Sequence, residues 1–191
     1  MAYNAKQYWQ TRSATWNRGK RKDEHTHLVN FLNHYLPDTG TILDVGSGDG
    51  KIYLFLKEDF GDFLDDRYTM CDFVDGMRQK CYDNTGMMPD KWDGKVLPYD
   101  DDSFDVVLSV SVWLHVPFDN IREVIAEHQR VAKNYIFVAT WYDGGDKKVV
   151  GPHCFHHDYY RWFDELSLEV IEKHKTRYGN SAKRRCWVLK T

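Results

Sequence analysis

No apolar run in this chain approaches the length needed to span a membrane, and the stretch Met1–Gln10 is polar and aromatic. Neither a bilayer segment, a signal peptide nor a membrane partner is therefore expected. The four cysteines, Cys71, Cys81, Cys154 and Cys186, include no Cys-x-x-Cys pair. That lacks the spacing of a zinc ribbon and argues against a disulfide framework. Reduced thiols and a cytoplasmic setting are the expectation. The net charge is only −3, and no nucleic-acid motif accompanies the basic residues at 18–22 and 183–185. Solvated surface is their default reading. Internal repeats and low-complexity tracts are also missing. What is present is 191 residues, 42% hydrophobic and 15% aromatic, enough for one globular domain with a sizeable core.

Composition divides the chain near residue 22. Residues 1–22 form a polar, aromatic and basic lead-in, and 23–191 carry the regular patterning. Leu28, Phe31, Leu32, Tyr35 and Leu36 form a helical stripe, so 24–36 reads as an amphipathic helix. Short apolar runs predict strands at 41–45, 68–71, 104–110 and 135–140, with a weak one somewhere near 91–97. Helices are predicted at 52–60, 75–84, 120–131 and 158–166, the last capped by Asp158. Residues 168–175 and 184–189 read as two final strands whose connection is too short for a crossover helix, so they pair antiparallel. Asp143-Gly144-Gly145-Asp146 is expected to begin a mobile loop that extends to about residue 157. The whole is an open α/β sheet with helices on both faces and an antiparallel C-terminal hairpin.

The most informative stretch is Thr41-Ile42-Leu43-Asp44-Val45-Gly46-Ser47-Gly48-Asp49-Gly50-Lys51. It reads as a buried strand, an acid, three glycines on alternate positions and a helix start. Glycine accepts positive φ and lets a ligand lie against bare backbone, and a helix N-terminus presents unsatisfied N–H groups. Together these describe a nucleotide-type cofactor site. The dinucleotide spacing Gly-x-Gly-x-x-Gly is absent. An acid at Asp44 would repel a pyrophosphate but accept hydrogen bonds from an ammonium group. Asp72, about 20 residues past the glycines, can accept ribose hydroxyls.

"LDVGSGDG" resembles the first motif of the class I S-adenosylmethionine-dependent methyltransferases. The stretch Asp93-Gly94-Lys95-Val96-Leu97-Pro98-Tyr99-Asp100-Asp101-Asp102-Ser103-Phe104-Asp105 is similar to that family's run into its fourth strand. Ser109-Val110-Ser111-Val112-Trp113-Leu114-His115-Val116-Pro117 resembles the segment after that strand, with Ser111 and Leu114 where acids often sit, and by that resemblance its residues would border the methyl group and the acceptor. The resemblance spans about 24–190. It implies a seven-stranded, mostly parallel sheet, with S-adenosylmethionine as cofactor and S-adenosylhomocysteine as product. The cofactor set it implies is Asp44, Gly46, Ser47, Gly48, Gly50, Asp72, Phe73, Trp92, Asp93 and Ser109. Within it Asp93 would reach the adenine amino group and Trp92 would lie near the ring.

His115 is the candidate general base or acceptor-positioning group, having an unperturbed pKa near neutrality; the alternative is a histidine that only bonds nearby backbone. Tyr8, Trp9, Trp113, Trp141, Tyr142 and His156 are candidates for the acceptor rim, and the lead-in 1–22 for a lid over the cofactor. The run His153-Cys154-Phe155-His156-His157 invites a metal reading, but it lacks paired ligand spacings and no metal is expected. Neither Asn-Pro-Pro-Tyr nor Pro-Cys follows the fourth strand, which within this family favours a small-molecule acceptor over nucleic acid or protein. Two rivals stay open: another enzyme on the same fold, using S-adenosylmethionine or NAD, and a catalytically silent cofactor-binding subunit.

Overall fold

Ile42, Leu43 and Val45 are inaccessible to solvent, as a strand covered on both faces must be. A computed structural model describes residues 3–16, 22–142, 148–149, 153–178 and 181–191. The start of the expected loop, 143–146, lies outside these residues, as do Arg18, Lys20 and Arg21 of the lead-in. The elements run α1 (Ala5–Ser13), α2 (Lys22–Tyr35), β1 (Ile42–Val45), α3 (Lys51–Phe60), β2 (Tyr68–Asp72), α4 (Asp75–Thr85), β3 (Asp90–Lys91) and β4 (Phe104–Val110). They continue with α5 (Ile121–Val131), β5 (Ala132–Trp141), β6 (Lys148–Val149), β7 (Phe155–His156), α6 (Tyr159–Glu165), β8 (Glu169–Tyr178) and β9 (Ser181–Lys190). A 3-10 turn at Trp113–His115 follows β4.

The main sheet has seven strands in the order β3-β2-β1-β4-β5-β9-β8. The first five are parallel, and β9 runs antiparallel to both β5 and β8. The chain works outward from β1 through β2 to β3, then returns to β4 on the other side of β1. That reversal is the switch point beyond which ligands bind in open α/β sheets. Side chains alternate between two cores. On one face Ile42, Met70, Val106 and Leu108 pack against Phe31 and Leu32 of α2 and Leu56 of α3. On the other, Leu43, Val45, Val107 and Ile136 meet Val124 and Ile125 of α5 and Phe163 of α6. Asp105 ties the strand starts together: its Oδ2 accepts the Thr41 N–H at 2.9 Å and its Oδ1 the Asn134 side-chain amide at 3.2 Å.

Three features depart from the sequence expectation. The third strand is two residues long rather than a run near 91–97. Asp93 stops it: its Oδ1 accepts the N–H groups of Lys95 and Val96 at 2.7 and 2.8 Å, and Gly94 takes φ of 89°, a side-chain turn that competes with strand pairing. The lead-in contains α1, whose N-cap Asn4 accepts the Gln7 N–H; helical periodicity missed it because it has no apolar stripe. A two-stranded ribbon, β6 with β7, lies outside the main sheet, within the stretch expected to be a loop to about residue 157.

Candidate functional site

The glycine turn leaves β1 through three left-handed residues, Gly46, Gly48 and Gly50, at φ of 71°, 60° and 78°. The N–H groups of Gly46 and Ser47 donate to the Cys71 carbonyl at 2.8 and 3.1 Å. Gly48 N–H donates to Asp72 Oδ2 at 2.9 Å, and the same carboxyl's Oδ1 accepts the Val74 N–H at 2.9 Å. Asp72 thus fastens the turn to the end of β2. Its burial pushes the carboxyl up to about 6, and the backbone donors only partly oppose that.

The three glycines do different work. A Cβ on Gly46 would lie 2.6 Å from Val112 Cγ2, and one on Gly50 would lie 2.6 Å from Thr85 Cγ2 and 2.8 Å from Cys81 Sγ. At Gly48 the nearest atom would be the Gly46 carbonyl oxygen, 4.0 Å away. The outer two glycines permit close packing, and the middle one keeps a bare surface beside open space.

That space is a cleft of about 690 Å³, its mouth included, lying beyond the ends of β1, β2 and β4. Its walls include Gly46, Gly48, Asp72, Phe73, Trp92, His115 and Trp9 from the expected set. They also include Trp16 from the candidate lid, Val110, Ser111 and Val112 from the segment at the end of β4, and Asp49, Val74 and Met77, which the sequence did not single out. Their shared signal is position: most are immediate neighbours of residues already singled out at strand ends. Trp92 meets Phe73 edge-on, with ring centres 6.1 Å apart, and its buried indole N–H has no hydrogen-bond partner among the described residues. Ser111 holds a left-handed φ of 65°, and its hydroxyl accepts from the buried Arg184 Nη2 at 2.8 Å. Trp9 and Trp16 reach the cleft because α1 lies on α4. Gln10 Oε1 accepts the Gly76 N–H at 3.2 Å, and Lys80 Nζ donates to the carbonyls of Ser13 and Trp16.

Other expected site residues stand elsewhere. Asp44 is 1% exposed on the α2/α3 side of β1, and its Oδ2 accepts the Tyr68 hydroxyl at 3.0 Å. Ser47 and Ser109 are buried off the cleft, Gly50 faces Thr85 and Cys81, and Asp93 is exposed in its own turn. Trp113, expected at the rim, is fully buried beside His128, Tyr159 and Phe163. The 3-10 turn drives it into the core, while Val112 and His115 reach the cleft wall. Tyr142 packs on Tyr160 and Trp187, Trp141 lies edge-on to the buried His156, and none of these three lines the cleft. Tyr8 stacks on His153 at 4.4 Å.

This donor set is that of a nucleoside-type ligand without phosphate: an acid for hydroxyls, aromatic walls and a bare glycine surface. A methyltransferase-domain family matches residues 43–137. No curated protein matches the chain. Many solved structures share its fold, and three illustrate the range. A SAM-dependent methyltransferase from Aquifex aeolicus is 17% identical at a TM-score of 0.66, over 88% of this chain and 89% of that one. The magnesium protoporphyrin IX methyltransferase of Synechocystis PCC 6803, with bound SAH, is 13% identical at 0.68, over 97% and 94%. The cyclase SpnF is 14% identical at 0.72, over 100% and 97%. At these identities the likeness is one of fold.

Proposed function

We propose that this chain, which belongs by its matched domain and sheet topology to the class I S-adenosylmethionine-dependent methyltransferases, transfers a methyl group to a small-molecule acceptor. One observation carries the cofactor assignment: Asp72, Gly48 and the Phe73–Trp92 wall converge on one cleft. The adenosyl group fits there. Asp72 receives the ribose hydroxyls on lone pairs left by its bonds to backbone N–H groups. Phe73 and Trp92 enclose the base, and Gly46 and Gly48 let the ligand approach the backbone. Asp44 acts from behind the turn by holding Tyr68.

When bound, the cofactor's sulfonium supplies an already electrophilic methyl group. The protein's share is orientation and exclusion of water, worth up to about 7–11 kcal/mol in well-aligned systems. His115 stands at the cleft wall, where it positions the acceptor or takes a proton from it. Trp9 and Trp16 line the same cleft as the glycine turn, which gives the N-terminal segment the part of a lid. The acceptor shares this narrow, aromatic space, which favours a small molecule with an O, N, S or C nucleophile over a folded partner.

Because one structure of this fold is a cyclase, the fold alone does not set the reaction. Release of S-adenosylhomocysteine is therefore measured against pooled phenols, amines, thiols and carboxylates. Turnover on at least one pool, reduced in His115→Ala more than cofactor affinity is, supports the reading. Cofactor binding without turnover on any pool would favour a silent binding subunit.

A further inference from the structure

Residues 153–157 place four metal-capable side chains in five positions, and their spacing alone makes no site. The fold adds a ligand from a distant segment. The turn after β4 brings His115 to His153 and Cys154, and one ligand atom of each lies within 4.8 Å of the other two. We propose that these three side chains bind a divalent, borderline-soft metal ion of the Zn²⁺ type.

Two imidazoles and a thiolate are a three-ligand set that leaves a fourth position open. A tetrahedral ion with such ligands holds its donors roughly 3.4–3.7 Å apart, given bond lengths of about 2.0–2.3 Å. Cys154 Sγ is 3.9 Å from His115 Nδ1, so a shift of a few tenths of an ångström brings that pair to ligand spacing. A second observation points the same way: His153 Nδ1 is buried and has no hydrogen-bond partner among the described residues. Such an atom costs stability unless something occupies it. Ligation through His115 Nδ1 replaces the hydrogen bond that this nitrogen makes with the His153 carbonyl oxygen, 2.7 Å away. Tyr8 and Trp9 pack over His153 and His115, with ring centres 4.4 and 4.6 Å apart. His157 is used elsewhere, with Nε2 3.0 Å from the Val116 carbonyl oxygen. On binding, the Cys154 thiol gives its proton to solvent and the sulfur lone pair to the ion. Since His115 also lines the cleft, the ion would stand at its edge, open to water or to an acceptor oxygen or sulfur. That last placement rests on the methyl-transfer reading, and the binding of the ion does not.

The test is equilibrium dialysis of the purified full chain against Zn²⁺, with Co²⁺ substitution read by absorption. One ion per chain is expected, with a thiolate-to-cobalt charge-transfer band. Cys154→Ser should abolish the band, and His153→Ala should weaken binding at least about tenfold. Circular dichroism and S-adenosylhomocysteine titration establish that both variants are folded. Three results would overturn the proposal: no retained ion, undiminished affinity in both variants, or a cobalt spectrum without the thiolate band. Failure of the wild type to bind S-adenosylhomocysteine while retaining the ion would instead count against the methyltransferase reading alone.

Discussion

Alanine at Gly48 separates ligand approach from folding. The residue sits at φ of 60°, and the added Cβ would meet nothing nearer than 4.0 Å. Left-handed strain then costs about 1–2 kcal/mol, lowering Tm by about 2–8 °C for a domain of this size. Gly50→Ala carries the same strain plus overpacking against Thr85 and Cys81 at 2.6 and 2.8 Å. Overpacking adds about 1–3 kcal/mol, so its Tm falls by about 4–20 °C. Gly86 is the control, since it is left-handed at φ of 75°, has no atom near its would-be Cβ and caps α4 away from the cleft. Thermal melts and calorimetric titration with S-adenosylhomocysteine on all three variants read both effects. Gly48→Ala should lose at least about tenfold in affinity, about 1.4 kcal/mol, while Gly86→Ala melts like it and binds like wild type. A Gly48→Ala protein that binds normally would refute the claim that this glycine keeps space for the ligand.

Further outcomes follow from the buried titratable groups and from the α1 contact. Hydroxyls that donate to Asp72 favour its ionised form, so S-adenosylhomocysteine affinity should fall about tenfold per pH unit below about 6; a flat profile in titrations from pH 5 to 8 would remove Asp72 from the ribose site. Stability should show two opposed pH terms. Burial lowers His128 to about 4, so its contribution is complete above its unfolded pKa of about 6.5 and is lost as pH falls towards 4, about 3 kcal/mol in all. Asp72 is raised, so ionisation opposes folding and a similar amount is regained as pH falls from about 6 to its unfolded value near 4. In urea melts, Asp72→Asn should therefore steepen the loss of stability on acidification relative to wild type and His128→Gln should flatten it; unchanged slopes would contradict both assignments. Gly76→Ala would put a Cβ 2.3 Å from Ser13 Oγ and 2.8 Å from Gln10 Nε2. Because alanine favours a helix by about 1 kcal/mol, Tm should hold while α1 shifts and affinity falls about tenfold; unchanged affinity would show that α1 does not help form the site.

The sheet was legible because buried parallel strands are continuous apolar runs and the final hairpin has too short a link for any other pairing. The third strand was overread because Asp93 and Gly94 turn the backbone within it. Helix α1 was hidden because what holds it is aromatic and polar contact with α4 and the 153–155 segment, not a periodic stripe. At the site, residues at or just past strand ends were readable: Gly46, Gly48, Asp72, Phe73, Trp92 and His115 all meet at the cleft. Residues within strands were not. Asp44 and Ser109 share the motifs' spacing but face the interior, a matter of which side of the pleat each occupies. Trp113 and His115 belong to one short turn, and only its three-dimensional course shows that the tryptophan enters the core while the histidine reaches the wall. The meeting of His115 with His153 and Cys154 joins two segments that no local pattern connects.

Calorimetric titration of the wild-type chain with S-adenosylhomocysteine and, separately, with NADH distinguishes an S-adenosyl cleft from a dinucleotide cleft. One S-adenosylhomocysteine site per chain, weakened in Gly48→Ala, and no heat with NADH are expected. Binding of NADH in the absence of S-adenosylhomocysteine binding would contradict the S-adenosyl assignment.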